Sequence, residues 1–215
     1  MCIEAGNDRA ATQGKGSLMA SLSTGSAKAV LKDRGNDLYE SPPEAVRALL
    51  TAERLPNRIW EPACGPGSIA RTLRAAGHDV LATDLVDYES PDQNAHGWDF
   101  LSERSLPDGI EGIVTNPPFK NANEFVSHAL ELCPRVVMLL RLAFIESQKR
   151  APILDSGSLA RVHVFRNRLP MMHRSGQGIK SAEKQASSAL AFAWFVWDRG
   201  HQGSTELRRI SWVAE

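Results

Sequence analysis

The hydrophobic and polar positions divide the chain into a patternless start and a long alternation of short apolar runs with amphipathic segments. Residues 1–33 are rich in Ala, Gly, Ser and Thr and hold no apolar period, which predicts a disordered tail. From residue 34 a single domain is expected. Ser41-Pro42-Pro43 reads as a helix start, with Ser41 as N-cap, Pro in the first turn, and Val46, Leu49 and Leu50 at helical spacing. A short strand, Asn57 to Trp60, runs into Glu61. A helix over Ser68 to Ala76 is stopped by Gly77, and a strand from His78 to Thr83 ends at Asp84. Gly112 to Thr115 is a strand ending at Asn116, followed by a helix from Asn121 to Leu132. Val136 to Leu140 is a continuous apolar run, as expected of a strand buried on both faces. Phe144 to Leu154 reads as a helix, then Leu159 to Phe165, Ala189 to Trp197 and Leu207 to Trp212 as strands.

Strands alternating with helices predict an α/β fold with a mainly parallel sheet. The last strands follow one another without a helix, which predicts an antiparallel edge. Ligands of such sheets lie beyond the carboxyl ends of the strands. Glu61, Asp84 and Asn116 all fall at such ends.

Composition narrows this little. A 42% hydrophobic share is ordinary for a soluble domain with a core, and no apolar run approaches the length of a membrane span. The first residues lack the apolar segment of a secretory signal. Cys2, Cys64 and Cys133 are odd in number and widely spaced, so neither a disulfide framework nor a metal site is expected, and a cytoplasmic setting is. The formal net charge is zero, yet from Arg135 to Lys184 ten residues are Lys or Arg and three are acidic. That stretch could face a polyanion or form a solvated basic surface.

The segment IWEPACGPGSIA (Ile59 to Ala70) reads as strand, glycine-bearing turn and helix. Gly65 and Gly67 allow a sharp turn and close approach of a ligand, and Asp84 ends the next strand where an acid can take ribose hydroxyls. A dinucleotide would place its pyrophosphate at this helix start. S-adenosyl-L-methionine has no phosphate and carries an α-amino group, which an acid at Glu61 suits. Asn116-Pro117-Pro118-Phe119 follows a strand and precedes a helix. Two prolines fix the local backbone and remove two donors, which leaves carbonyls as acceptors beside the Asn116 amide oxygen. Phe119 supplies a flat apolar face. Two acceptors beside an aromatic ring suit a planar amine whose lone pair is delocalised.

These segments resemble the motifs of class I S-adenosylmethionine-dependent methyltransferases, and small phage-type DNA adenine-N6 methyltransferases in particular. EPACGPG resembles their first motif, with Glu61, Pro62, Ala63, Cys64, Gly65 and Gly67 as cofactor contacts. LATDL resembles the second, with Asp84 on the ribose and Leu85 beside it. GWDFL resembles the third, with Asp99 on the adenine amine and Phe100 against the ring. DLYESPPEAVRALL resembles the motif that closes over the cofactor, through Tyr39, Ser41 and Pro42. NPPF resembles the catalytic motif. LARVHVFRNRLPMM and ALAFAWFVWDRG resemble the closing strands. The resemblance implies a Rossmann-like seven-stranded sheet with helices on both faces and methyl transfer to adenine N6 in DNA. Cys64, inside the cofactor turn, is not expected to act as a nucleophile.

Fewer than one hundred residues follow Phe119, so a separate target-recognition domain is not expected. Selectivity would come from short loops or a partner protein. The stretch from Met171 to Ser188, with His173, Arg174, Lys180 and Lys184, is the candidate substrate contact. Two alternatives stand beside DNA. One is the same chemistry on RNA adenine or a protein glutamine amide. The other is an NAD-binding Rossmann enzyme or a non-catalytic nucleotide-binding module.

Overall fold

The computed structural model describes residues 38–171 and 190–213. The predicted tail lies outside them. The first helix, α1, spans Pro43–Ala52 and is followed by β1 (Arg58–Glu61), α2 (Ser68–Ala75) and β2 (Asp79–Ala82). Then come β3 (Gly112–Thr115), α3 (Ala122–Leu132), β4 (Arg135–Arg141), a short α4 (Ala151–Leu154), β5 (Leu159–Phe165), β6 (Phe192–Asp198) and β7 (Glu206–Ile210).

The seven strands form one sheet in the order β2-β1-β3-β4-β6-β5-β7. β1 pairs in parallel with β2 and β3, and β3 with β4. β6 runs antiparallel to β4 and β5, and β7 returns parallel to β5. The reversed direction expected near the chain end is thus a single strand, β6, with β5 and β7 beyond it.

Side-chain alternation feeds two cores. Ile59, Val114, Val137, Leu139, Trp194 and Val196 face α1 and α2. Trp60, Ile113, Val136, Met138, Phe195 and Trp197 face α3 and α4. Because helices cover both faces, the central strands read as continuous apolar runs rather than alternations. Two buried tryptophans also fasten helices to the sheet. The Trp194 indole donates to the Ala45 carbonyl at 2.9 Å, and that of Trp197 to the Ile153 carbonyl at 3.0 Å. Each bond satisfies a donor that burial would otherwise leave costly.

Two local expectations fail. Ser41 does not cap α1: Pro42 is the N-cap, no side chain bonds the helix start, and the Ser41 hydroxyl is buried without a partner. The helix expected over Phe144 to Leu154 is broken into 3₁₀ turns at Leu142–Ile145 and Gln148–Arg150 and the four-residue α4. Pro152 has no N–H for the carbonyl of Gln148 and its ring crowds that carbonyl, so a helix cannot run through. Ser147 takes the kink at φ 106°. The Arg150 guanidinium takes over the freed carbonyls of Phe144 and Glu146, at 3.1 and 2.7 Å.

The chain runs from β1 outward to β2, then crosses back to β3 on the other side of β1. The sheet's topological switch point therefore lies between β1 and β3, the place where such sheets hold ligands. Among the described residues no helix is long and apolar enough to cross a membrane.

Candidate functional site

One cavity opens at the carboxyl ends of β1 and β3, at the switch point. It brings together Tyr39, Ser41, Glu61, Pro62, Ala63, Cys64, Gly65, Asp84, Leu85, Asp99, Phe100, Asn116, Pro117, Pro118 and Phe119. Most of the expected catalytic and cofactor residues thus meet, although they span some eighty positions of chain. Pro42 and Gly67, expected among the cofactor contacts, do not line it. Gly67 is the N-cap of α2 at φ 86°, and a Cβ there would sit 2.3 Å from Cβ of Asp92. Its close approach is therefore to Asp92. Pro42 is spent on the start of α1. His173, Arg174, Lys180 and Lys184 lie outside the described residues. Met171, at the start of the expected substrate loop, is buried in the core.

Glu61 ends β1 and is 1% exposed, with Oε2 lacking any partner. Burial holds its carboxyl well above the usual range, against a backbone bond from Ala70 and the charge of Arg74. A buried acid with an unused oxygen is a costly arrangement that a bound cation would relieve.

Asp84 has a definite structural task. Its two oxygens accept from the backbone N–H groups of Gly65 and Val86, each at 2.9 Å. It thereby ties the glycine turn to the end of β2. Burial raises its carboxyl pKa and these bonds work against the rise. Gly65, at φ 52°, is needed both for the turn and for room: a Cβ would come 2.9 Å from Leu38 Cδ1. Cys64 is a free, buried thiol, and burial together with the carboxyls of Glu61 and Asp84 raises its pKa further. It is packed, not poised as a nucleophile.

Leu85 lines the cavity and is 62% exposed, an apolar surface at its mouth. Asp99 caps a 3₁₀ turn, accepting from Leu101 N–H at 3.1 Å and the Ser102 hydroxyl at 2.7 Å. Phe100 packs on Trp60, Phe125 and His128, with ring centroids 5.0–5.2 Å apart. Both still line the cavity, so each couples a structural role to the lining.

At the far side Asn116 donates from Nδ2 to the Tyr39 carbonyl at 2.8 Å, while its Oδ1 is buried without a partner. The Pro118 carbonyl is taken by Asn121 N–H at 3.1 Å. Among the described residues no backbone N–H reaches the Pro117 carbonyl. The expectation of free carbonyls thus holds for one proline and fails for the other, because the 3₁₀ turn Phe119–Asn121 uses the second. Phe119 is partly buried, tilted 34° against Tyr39 at 4.9 Å and 39° against Phe192 at 5.7 Å. Arg141 lies over its ring, 4.4 Å from the centroid.

Sequence reasoning missed Trp98 and Tyr88, which also line the cavity. The Trp98 indole N–H is buried without a partner. Both lie in the long irregular connection between β2 and β3, where no periodicity marks a position. The basic stretch is also less available than its count suggests. Arg135 and Arg161 are bound to Glu53, and Arg150 to backbone carbonyls. Among the described residues, no cluster of three or more His, Cys, Asp or Glu could hold a metal ion.

No known family's sequence profile matches this chain, and no curated protein sequence does. Solved structures do match. A modification subunit of a candidate type I restriction enzyme from Vibrio vulnificus YJ016 superposes with a TM-score of 0.57 at 13% identity, over 88% of this chain. The chain spans about half of that subunit, 51% of its length. A candidate RNA methyltransferase from Pyrococcus horikoshii superposes with a TM-score of 0.52 at 10% identity, over 74% of this chain and 86% of its own. At such identities the likeness is one of fold, and the fold is the Rossmann-like fold of class I methyltransferases.

Proposed function

We propose that the protein transfers a methyl group from S-adenosylmethionine to the exocyclic amine of a nucleic-acid base, with adenine N6 in DNA as the first substrate to test. The observation that carries this reading is a pair of buried, uncommitted acceptors, Glu61 Oε2 and Asn116 Oδ1, lining one cavity at the switch point of the sheet. Glu61 suits a cationic α-amino group. Asp84, whose oxygens each keep a second lone pair beyond their backbone bond, suits ribose hydroxyls, the Ser41 hydroxyl can donate to a carboxylate, and Leu85, Trp98 and Phe100 suit a flat purine. When bound, the cofactor supplies an electrophilic methyl carbon on a sulfonium sulfur.

The protein's own residues supply the rest. Asn116 Oδ1 and the Pro117 carbonyl can accept the two hydrogens of a planar NH2. Accepting both favours a pyramidal nitrogen, returns its lone pair, and stabilises the charge that develops on it. Phe119 offers the ring an apolar face. Holding nucleophile and methyl donor in line contributes most of the acceleration. The resulting ammonium is acidic and loses its proton to water, so no tuned base is required.

RNA adenine and a protein glutamine amide present the same NH2. An NAD site would place a pyrophosphate at the start of α2, beside the buried Glu61 carboxyl, which disfavours an anion there. Selectivity for a target would reside in short loops or a partner protein. The deciding experiment incubates the protein with methyl-labelled cofactor and DNA, RNA or protein, then identifies the labelled product after digestion. Label in N6-methyladenine from DNA is expected. Label confined to RNA or to glutamine would transfer the reading to that substrate, and NADH binding without cofactor binding would end it.

A further inference from the structure

Arg141 closes β4, and its position sets it apart from three other arginines of the same stretch. Arg135, Arg150 and Arg161 all donate to carboxylates or carbonyls. Arg141 is exposed and, among the described residues, makes no ion pair. Its recorded contact is with the ring of Phe119, 4.4 Å from the centroid. A guanidinium resting on a partly buried aromatic ring, with no ion pair to hold it, is held weakly and is easily displaced.

The surroundings give that displacement a direction. Phe119 lines both the main cavity and an adjoining cleft with Lys120, Asn123, Arg141, Phe144 and Arg150. Three cations and one acid, Glu124, line this cleft. Phe119 therefore borders both the cavity that carries the Asn116 acceptor and the cationic cleft beside it. The planar fork of Arg141 matches two oxygens of a phosphodiester, as a single Lys does not.

We infer that Arg141 is a substrate-binding residue that exchanges partners: it covers the Phe119 ring when no strand is bound, yields that face to the target base, and takes a phosphate flanking the displaced nucleotide. This rests on the methyltransferase reading and deepens it, committing the substrate to a nucleic-acid strand rather than a protein amide. The exchange makes base entry and phosphate capture one event, because the face is open only when the guanidinium has moved to its second partner.

The test uses Arg141→Ala and Arg141→Lys in the full chain, with fluorescent single-stranded and duplex DNA and RNA as probes. Arg141→Ala should weaken strand binding about tenfold and lower the slope of log affinity against log salt by about one, the loss of one phosphate contact. KM should rise more than kcat falls. Arg141→Lys should restore the salt slope but only part of the affinity. Calorimetric affinity for S-adenosylhomocysteine and the melting temperature should stay unchanged in both variants. If wild-type protein methylates nucleic acid while Arg141→Ala keeps its affinity and salt slope, the inference is wrong and the methyltransferase reading stands. Equal losses of cofactor and strand binding would mean a structural role and also overturn it. If wild-type protein labels protein glutamine and no nucleic acid, the substrate is a protein amide and the inference about Arg141 is overturned, while the methyl-transfer chemistry stands.

Discussion

Asn116 donates from Nδ2 to the carbonyl of Tyr39, 77 residues earlier in the chain, and that bond fixes which way its amide faces. With the nitrogen committed to the segment before α1, Oδ1 is left toward the cavity without a partner. The same residue thus holds the entry segment in place and presents an acceptor to the substrate amine.

Asn116→Ala should lower turnover by two to three orders of magnitude, the usual cost of removing a preorganised polar group from a reacting centre. It also cuts the tether to Tyr39, so cofactor affinity should fall by less than about tenfold, in line with one hydrogen bond worth ~1 kcal/mol. Single-turnover kinetics and calorimetry separate the two. A collapse of cofactor affinity as large as the loss of turnover would remove the catalytic role.

Burial raises the Glu61 carboxyl well above its ordinary value, so the charged form is disfavoured in the free protein. A cationic ligand favours the ionised form and drives the proton off. Cofactor affinity should therefore rise with pH upward from the ordinary carboxyl range, with proton release visible as buffer-dependent heat in calorimetry. Glu61→Gln should bind more weakly and lose both effects. Unchanged pH dependence in that variant would assign the amino-group contact elsewhere.

Gly67→Ala should destabilise the protein by about 2–4 kcal/mol, combining the left-handed backbone cost with the collision against Asp92. Because Gly67 does not line the cavity, the folded fraction should bind cofactor normally. Urea unfolding with calorimetry at low temperature checks this, and intact stability with lost binding would restore Gly67 as a ligand contact.

Far from the cavity, Glu53 at the end of α1 accepts from Arg135 at 2.7 Å, from His163 at 2.7 Å, and from Arg161. Burial pushes its carboxyl up, but the bonds from His163 and Arg161 and the charges of Arg161 and Arg135 outweigh this and hold it at about 2. The folded pKa lies below the unfolded one. Its contribution is therefore complete above the ordinary value of 4.5 and is lost as pH falls from there toward about 2. The span corresponds to roughly 3 kcal/mol. Glu53→Gln should lower stability at pH 7 and flatten the acid limb of the unfolding curve. An acid limb identical to wild type would show that the cluster contributes nothing.

Two strands, Gly112–Thr115 and Leu159–Phe165, form where the apolar pattern places them, and other strand boundaries move by one to three residues. They are legible because apolar residues recur at close spacing, even though Arg161 and His163 interrupt the second of them. The stretch Phe144 to Leu154 misleads: its apolar residues suggest a helix, while Pro152 forbids one and the Arg150 side chain supplies the missing donors. Charge was legible as a count only. That Arg135 and Arg161 turn inward to Glu53 depends on strands separated by whole elements.

The amino-acid sequence by itself determined the α/β class, the acid–glycine turn, the Asn-Pro-Pro-Phe segment and their positions at strand ends, because periodicity, proline and glycine act locally. Only the tertiary structure decided which atoms of those residues remain available. Asp84 gives one bond from each oxygen to the turn, Gly67 makes room for Asp92, and Pro118 closes a 3₁₀ turn. Glu61 Oε2 and Asn116 Oδ1 stay uncommitted. Hydrogen-bond capacity is settled by the nearest donor in space, and for Asn116 that side chain's acceptor in Tyr39 lies beyond any local pattern.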